Sequence, residues 1–65
     1  MCESAAYQET AAGEELLLED VVRMQPSARG WVLENLFGER REVAGQVKLI
    51  DLLGHRIVFA REAPG

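Results

Sequence analysis

Cysteine and histidine are nearly absent: Cys2 and His55 are the only residues of either kind in 65. A lone thiol excludes an internal disulfide, and one Cys with one His cannot build a structural zinc site of several cysteines. A chain of this length buries only about 60% of the surface it exposes when unfolded, so it needs a disulfide, a metal or self-association to gain stability. Self-association is the route left, and a homodimer is the expectation. Basic residues are also scarce. Seven Lys and Arg stand against eleven Asp and Glu, for a net charge of −4, and only Arg40 and Arg41 are adjacent. Nucleic-acid binders draw much of their affinity from a dense basic patch that neutralises phosphates, so nucleic acid is a disfavoured partner. No apolar run approaches the roughly 20 residues of a membrane-spanning helix. The start lacks the basic region and apolar stretch of a secretory signal. These features point to a cytoplasmic protein, where thiols stay reduced and Cys2 is a free thiol.

What is present reads as globular: 48% hydrophobic and 28% charged residues. The expectation is one domain over 1–65, with 61–65 a frayed tail. Turn signals fall at Glu9–Gly13, Pro26–Gly30 and Gly54-His55, with weaker breaks at Gly38 and Gly45. Between them lie VV at 21–22, WVL at 31–33, QVKLIDLL at 46–53 and RIVF at 56–59. Short β-branched and aromatic runs between frequent turns predict an all-β fold, here a small antiparallel, barrel-like domain. Val47 and Leu49 should share one strand face, Ile57 and Phe59 one face of the next, joined by a two-residue Gly54-His55 hairpin. The opposite face carries Ile50, Leu52 and Val58 and is the place for a subunit contact. The segment EELLLEDVVRM fits two periods. Leu17, Val21 and Met24 have helical spacing, whereas Leu16, Leu18, Val22 and Met24 alternate with Asp20 interrupting. Two strands bent near Glu19-Asp20 suit the rest of the chain better. Trp31, Leu33 and Phe37 read as core or edge packing.

No catalytic pattern emerges. A nucleophilic cysteine needs a base, usually histidine, brought close by the fold. Cys2 and His55 are the only such pair, and nothing local joins them. Phosphate-binding glycine loops and H-x-x-x-H spacings are missing, and a domain this small leaves little room for a substrate cleft. The expectation is that the protein is not an enzyme. The opening MCES carries more chemistry. With Met1 retained, its amine, the Cys2 amide nitrogen and the Cys2 sulfur form two fused five-membered chelate rings; with Met1 removed, the Cys2 amine and sulfur form one. Planar N and S donors suit Ni(II) or Cu(II) better than tetrahedral Zn(II). One chain offers too few donors, but a two-fold axis would bring the same residue from each subunit together. Three other readings stand beside this one. Cys2 is an inert end residue of an interaction module, or it forms an intersubunit disulfide as a redox switch, or the chain is a small-barrel RNA-binding module with its surface around Trp31, Arg40 and Arg41. His55 reads as a hairpin-turn residue, and Glu14-Glu15 and Glu19-Asp20 as solvated edges.

Several blocks in order resemble the CooT family of small nickel-binding proteins linked to maturation of carbon monoxide dehydrogenase. MCES-x-x-Y is similar to the family's MCE start, and EELLLEDVVRMQP to its acidic, valine-containing second segment. NLFGERREVAG resembles its N-[IL]-F-G-E segment, and IDLLGHRIVF its I-D-L-x-x-H-[RK]-I-V ending. The resemblance implies a mostly β homodimer holding one Ni(II) near its two-fold axis by Cys2 of both subunits. Backbone or terminal nitrogens of Met1, Cys2 and Glu3 would complete the ligands. It implies an accessory or carrier protein whose partner is a nickel enzyme such as carbon monoxide dehydrogenase. No ligand role carries over to His55.

Overall fold

A computed structural model describes residues 4–61. It is all-β, with strands β1 (Ser4–Thr10), β2 (Gly13–Pro26), β3 (Gly30–Asn35), β4 (Arg40–Ala44), β5 (Val47–Asp51) and β6 (Arg56–Phe59). They form one sheet in the order β4-β3-β2-β1-β6-β5. The expected antiparallel barrel is corrected on two counts. First, β1 and β6 run parallel, Ala5 opposite Arg56 through Gln8 opposite Phe59, so the sheet is mixed. The start of the chain has inserted between β2 and the last strand. Second, the sheet is not closed, because β4 and β5 remain as its two edges. It is nonetheless strongly curled. Ala44 and Val47 are separated only by Gly45-Gln46, a stretch of chain that spans at most about 11 Å. The edges of a flat six-stranded sheet stand about 24 Å apart. The edges therefore meet at this corner. Gly45 turns there with φ +100° and donates its N–H to the Arg29 carbonyl at 3.2 Å.

The second segment is one 14-residue strand rather than two. Its bend lies where the acidic pair predicts it, at Asp20, which adopts φ +57°. The first stretch pairs with β1 and the second with β3, and both meet at Val21, opposite Ser4 on one side and Asn35 on the other. A register shift between Val21 and Arg23 reverses the in-out alternation, as an extra bulge residue must. Leu17, Val21 and Met24 therefore all pack on the core, despite their helix-like spacing, while Leu16 and Val22 are 46% and 55% exposed. Another shift, between Val47 and Leu49, sets Val47 opposite Phe59 but Leu49 opposite Val58. The expectation that Val47 and Leu49 share a face fails for this reason.

Ala6, Val21, Leu33, Val43, Ile57 and Phe59 form the core, with Leu17, Leu18, Met24, Trp31 and Val47 packed against it. β3 and β4 approach so closely that a Cβ on Gly30 would lie 2.2 Å from the Val43 carbonyl oxygen. Leu33 is buried and Trp31 leans on the core as expected. Phe37 does not: it sits in the β3–β4 loop and is 73% exposed. The β5–β6 connection spans four residues, 52–55, between the paired Asp51 and Arg56, not the two residues expected. Asp51 Oδ1 accepts the Gly54 N–H at 2.9 Å. His55, not Gly54, takes the left-handed conformation, at φ +57°. The expected fraying falls mostly on residues 62–65, outside the described residues.

Candidate metal centre

The site residues read from the sequence, Met1, Cys2 and Glu3, lie outside the described residues. What the fold fixes is the surroundings of the point where they join the sheet. Backbone pairing carries a continuous row across five strands there: Asn35 to Val21, Val21 to Ser4, then Ala5 to Arg56 and Arg56 to Asp51. β1 is central in the sheet, flanked by β2 and β6. The Ala5 N–H donates to the His55 carbonyl at 2.9 Å, so the β5–β6 hairpin is fastened to the first residues of β1. The parallel register sets His55 one position before Arg56, alongside Ser4. Cys2 is two residues before Ser4, which puts its Cα within about 7 Å of it. The fold thus brings the hairpin carrying the only histidine to the strand that begins two residues after the only thiol. Sequence reasoning missed this neighbourhood, because a parallel pairing between the two ends of a chain leaves no local signal. His55 is half-buried and occupies a turn, as expected.

Asp51 caps its own hairpin. Arg56 reaches Glu14, which stands opposite Glu9 at the other end of β1, and its guanidinium also lies 5.2 Å from the centre of the Tyr7 ring. Among the described residues, no group of three or more His, Asp or Glu could hold a metal ion. The surface beside the start of β1 is apolar. Leu52 and Leu53 at the hairpin tip are 77% and 93% exposed, and Ile50 on β5 and Val22 on β2 are each just over half exposed.

At the far end of the sheet, Lys48 pairs with Glu9, and the Arg61 N–H reaches the other Glu9 oxygen. The Lys48 hydrogen bond first, and the Arg61 N–H second, hold the Glu9 carboxyl below its ordinary value of 4.5. Two surface recesses lie at this end, sharing Arg61. Neither touches the start of β1. The surface required by an RNA-binding reading does not assemble. Trp31 packs on the core, and Arg41 bonds the Leu17 carbonyl. Arg40 reaches Glu34 on the other face, which also holds Arg23. No described helix is long and apolar enough to cross a membrane.

Comparison with known proteins gives a consistent picture. The model of the CooT family, described as CO dehydrogenase accessory protein CooT, matches residues 1–60. A crystal structure assigned to CooT from Carboxydothermus hydrogenoformans is 39% identical, with a TM-score of 0.85. The similarity covers 95% of this chain and all of that one. No curated protein matches the chain.

Proposed function

Because this chain belongs to the CooT family, we propose that it is a nickel(II)-binding accessory protein that carries the ion to a nickel enzyme such as carbon monoxide dehydrogenase. The observation that carries this reading is the extent of the family match: it begins at residue 1 and so takes in Cys2. Cys2 of two subunits holds the ion across a two-fold axis, with nitrogens of Met1, Cys2 and Glu3 beside the sulfurs. Four planar N and S donors fit Ni(II), and the metal is cargo rather than a resident cofactor. The central position of β1 supports such a site, since Ser4, where the N-terminal donors join the sheet, is flanked by β2 and β6. An ion held at a chain start also remains open to the ligands of an acceptor. The cysteine must lose its proton to bind. Affinity should therefore fall with pH below the thiol range, ordinarily near pH 8.5.

Titrating Ni(II) into the wild type should give a thiolate-to-nickel charge-transfer band with one ion per two chains. Cys2→Ser should give no band. Equal binding by both proteins would remove the proposal.

A further inference from the structure

The β3–β4 loop joins high exposure to tight anchoring. Leu36 and Phe37 are 56% and 73% exposed. Of the four aromatic rings in the chain, Phe37 alone is exposed; Phe59 is buried, and Tyr7 and Trp31 are partly covered. The backbone beneath the ring is held at every amide. The Leu36 N–H bonds the Asp20 carbonyl at 2.9 Å, and the Gly38 N–H the Asn35 carbonyl at 3.1 Å. The Phe37 N–H bonds Oδ1 of the buried Asn35 at 3.0 Å. A slack loop could fold its apolar groups back onto the protein. This one keeps them presented, and preorganised groups dock at a lower ordering cost.

The surroundings say what kind of surface fits. Glu19 and Asp20 border the loop on β2, and Glu39 closes it. The two arginines that follow are engaged, Arg40 with Glu34 and Arg41 with the Leu17 carbonyl. An apolar pair among three carboxylates matches an apolar pocket edged with Lys or Arg. The same carboxylates oppose anionic lipid and nucleic acid. A second copy of the chain offers no such pocket among the described residues. Each of its two recesses is lined by one alanine among glycine or polar residues, and one of them brings in the Glu9 carboxylate. The loop also has a fixed relation to the start of β1. Asn35, Val21 and Ser4 align on three neighbouring strands, so Asn35 stands about 10 Å from Ser4, two strand spacings away. Phe37 is two residues further, which adds at most about 7 Å. The loop runs back along β2 beside Asp20, not past the Ser4 end of β1. A partner seated on it would therefore lie near the strand that the N-terminal donors join without covering its start.

We propose that the Leu36-Phe37 loop is the contact by which the chain docks on its acceptor enzyme, with Phe37 entering an apolar pocket edged with basic side chains. The identity of the partner rests on the accessory role proposed above; the choice of surface does not. Binding of metal-free protein to immobilised, nickel-free carbon monoxide dehydrogenase, followed by interferometry, tests the proposal. Wild type and Cys2→Ser should bind alike. Phe37→Ala should weaken binding by roughly thirtyfold or more, the scale of an anchor residue. Glu19→Lys should slow association, whereas Leu49→Ala, at an exposed apolar group on β5, should bind as wild type does. The Phe37 ring is in solvent, so the fold should survive its loss, which circular dichroism checks. If wild type binds and Phe37→Ala binds as tightly, or Leu49→Ala loses as much, the assignment of the loop falls and the accessory reading stands. If wild type does not bind the enzyme, both fall together. Phe37→Ala that dissociates copies of the chain, or that abolishes binding to anionic vesicles, would also overturn the assignment, by giving the loop to self-association or to a membrane.

Discussion

Glu9 shows how much a single exposed residue contributes and under which conditions. Its carboxylate accepts from Lys48 and from the Arg61 N–H, and its pKa is lowered from 4.5 chiefly by the Lys48 hydrogen bond. A carboxyl whose folded pKa is depressed adds stability at pH above its unfolded value and loses it as pH falls through the folded value. Lys48→Met should therefore raise the Glu9 midpoint in an NMR titration. Any stability difference from wild type should be present at neutral pH and vanish in acid; an unmoved midpoint would show that the pair does not persist in solution. This contact joins β1 to the strand beyond β6, and no spacing in the sequence announces it. Other single residues were legible. His55 as a turn residue follows from its place beside glycine, although the left-handed conformation falls to the histidine itself. The prominence of Cys2 follows from its being the only thiol.

At the scale of elements, the β3–β4 loop is held by one buried side chain. Asn35 is 5% exposed. Its Oδ1 accepts the N–H groups of Phe37 at 3.0 Å and Glu39 at 2.9 Å, and its Nδ2 donates to Glu39 Oε1 at 2.7 Å. The remaining loop amides bond the Asp20 and Asn35 carbonyls, so every N–H from 36 to 39 has an acceptor. Asn35→Ala would strip two of them at once. The expected loss is about 1–3 kcal/mol, read as a lower thermal midpoint by roughly 4–8 °C per kcal/mol in a domain this small. An unchanged midpoint would mean that the backbone bonds suffice. Strands β2, β3, β5 and β6 were readable from turn residues and β-branched runs, as was the bend at Asp20, whereas β1 and β4 lie outside those runs. The faces were not. Each register shift reverses alternation downstream, and whether an extra residue is absorbed depends on the strand alongside.

For the whole molecule, the balance of surface and core is the governing fact. Seven apolar residues are buried, while eight large ones are exposed among the described residues. So thin a core favours folding coupled to association. The thermal midpoint should rise with protein concentration, as mass action requires for a dimer that unfolds to monomers; a midpoint constant over a hundredfold range would show that the monomer stands alone. Membership of the CooT family and the β class were legible in the residues, because turn chemistry, β-branched runs and motif blocks are local. The insertion of β1 beside β6, the open curl closed at one corner by Gly45-Gln46, and the meeting of the histidine hairpin with the start of β1 were decided only by tertiary structure. Those features depend on which distant segments bury one another's apolar faces, and a shared core selects partners that no local period can name.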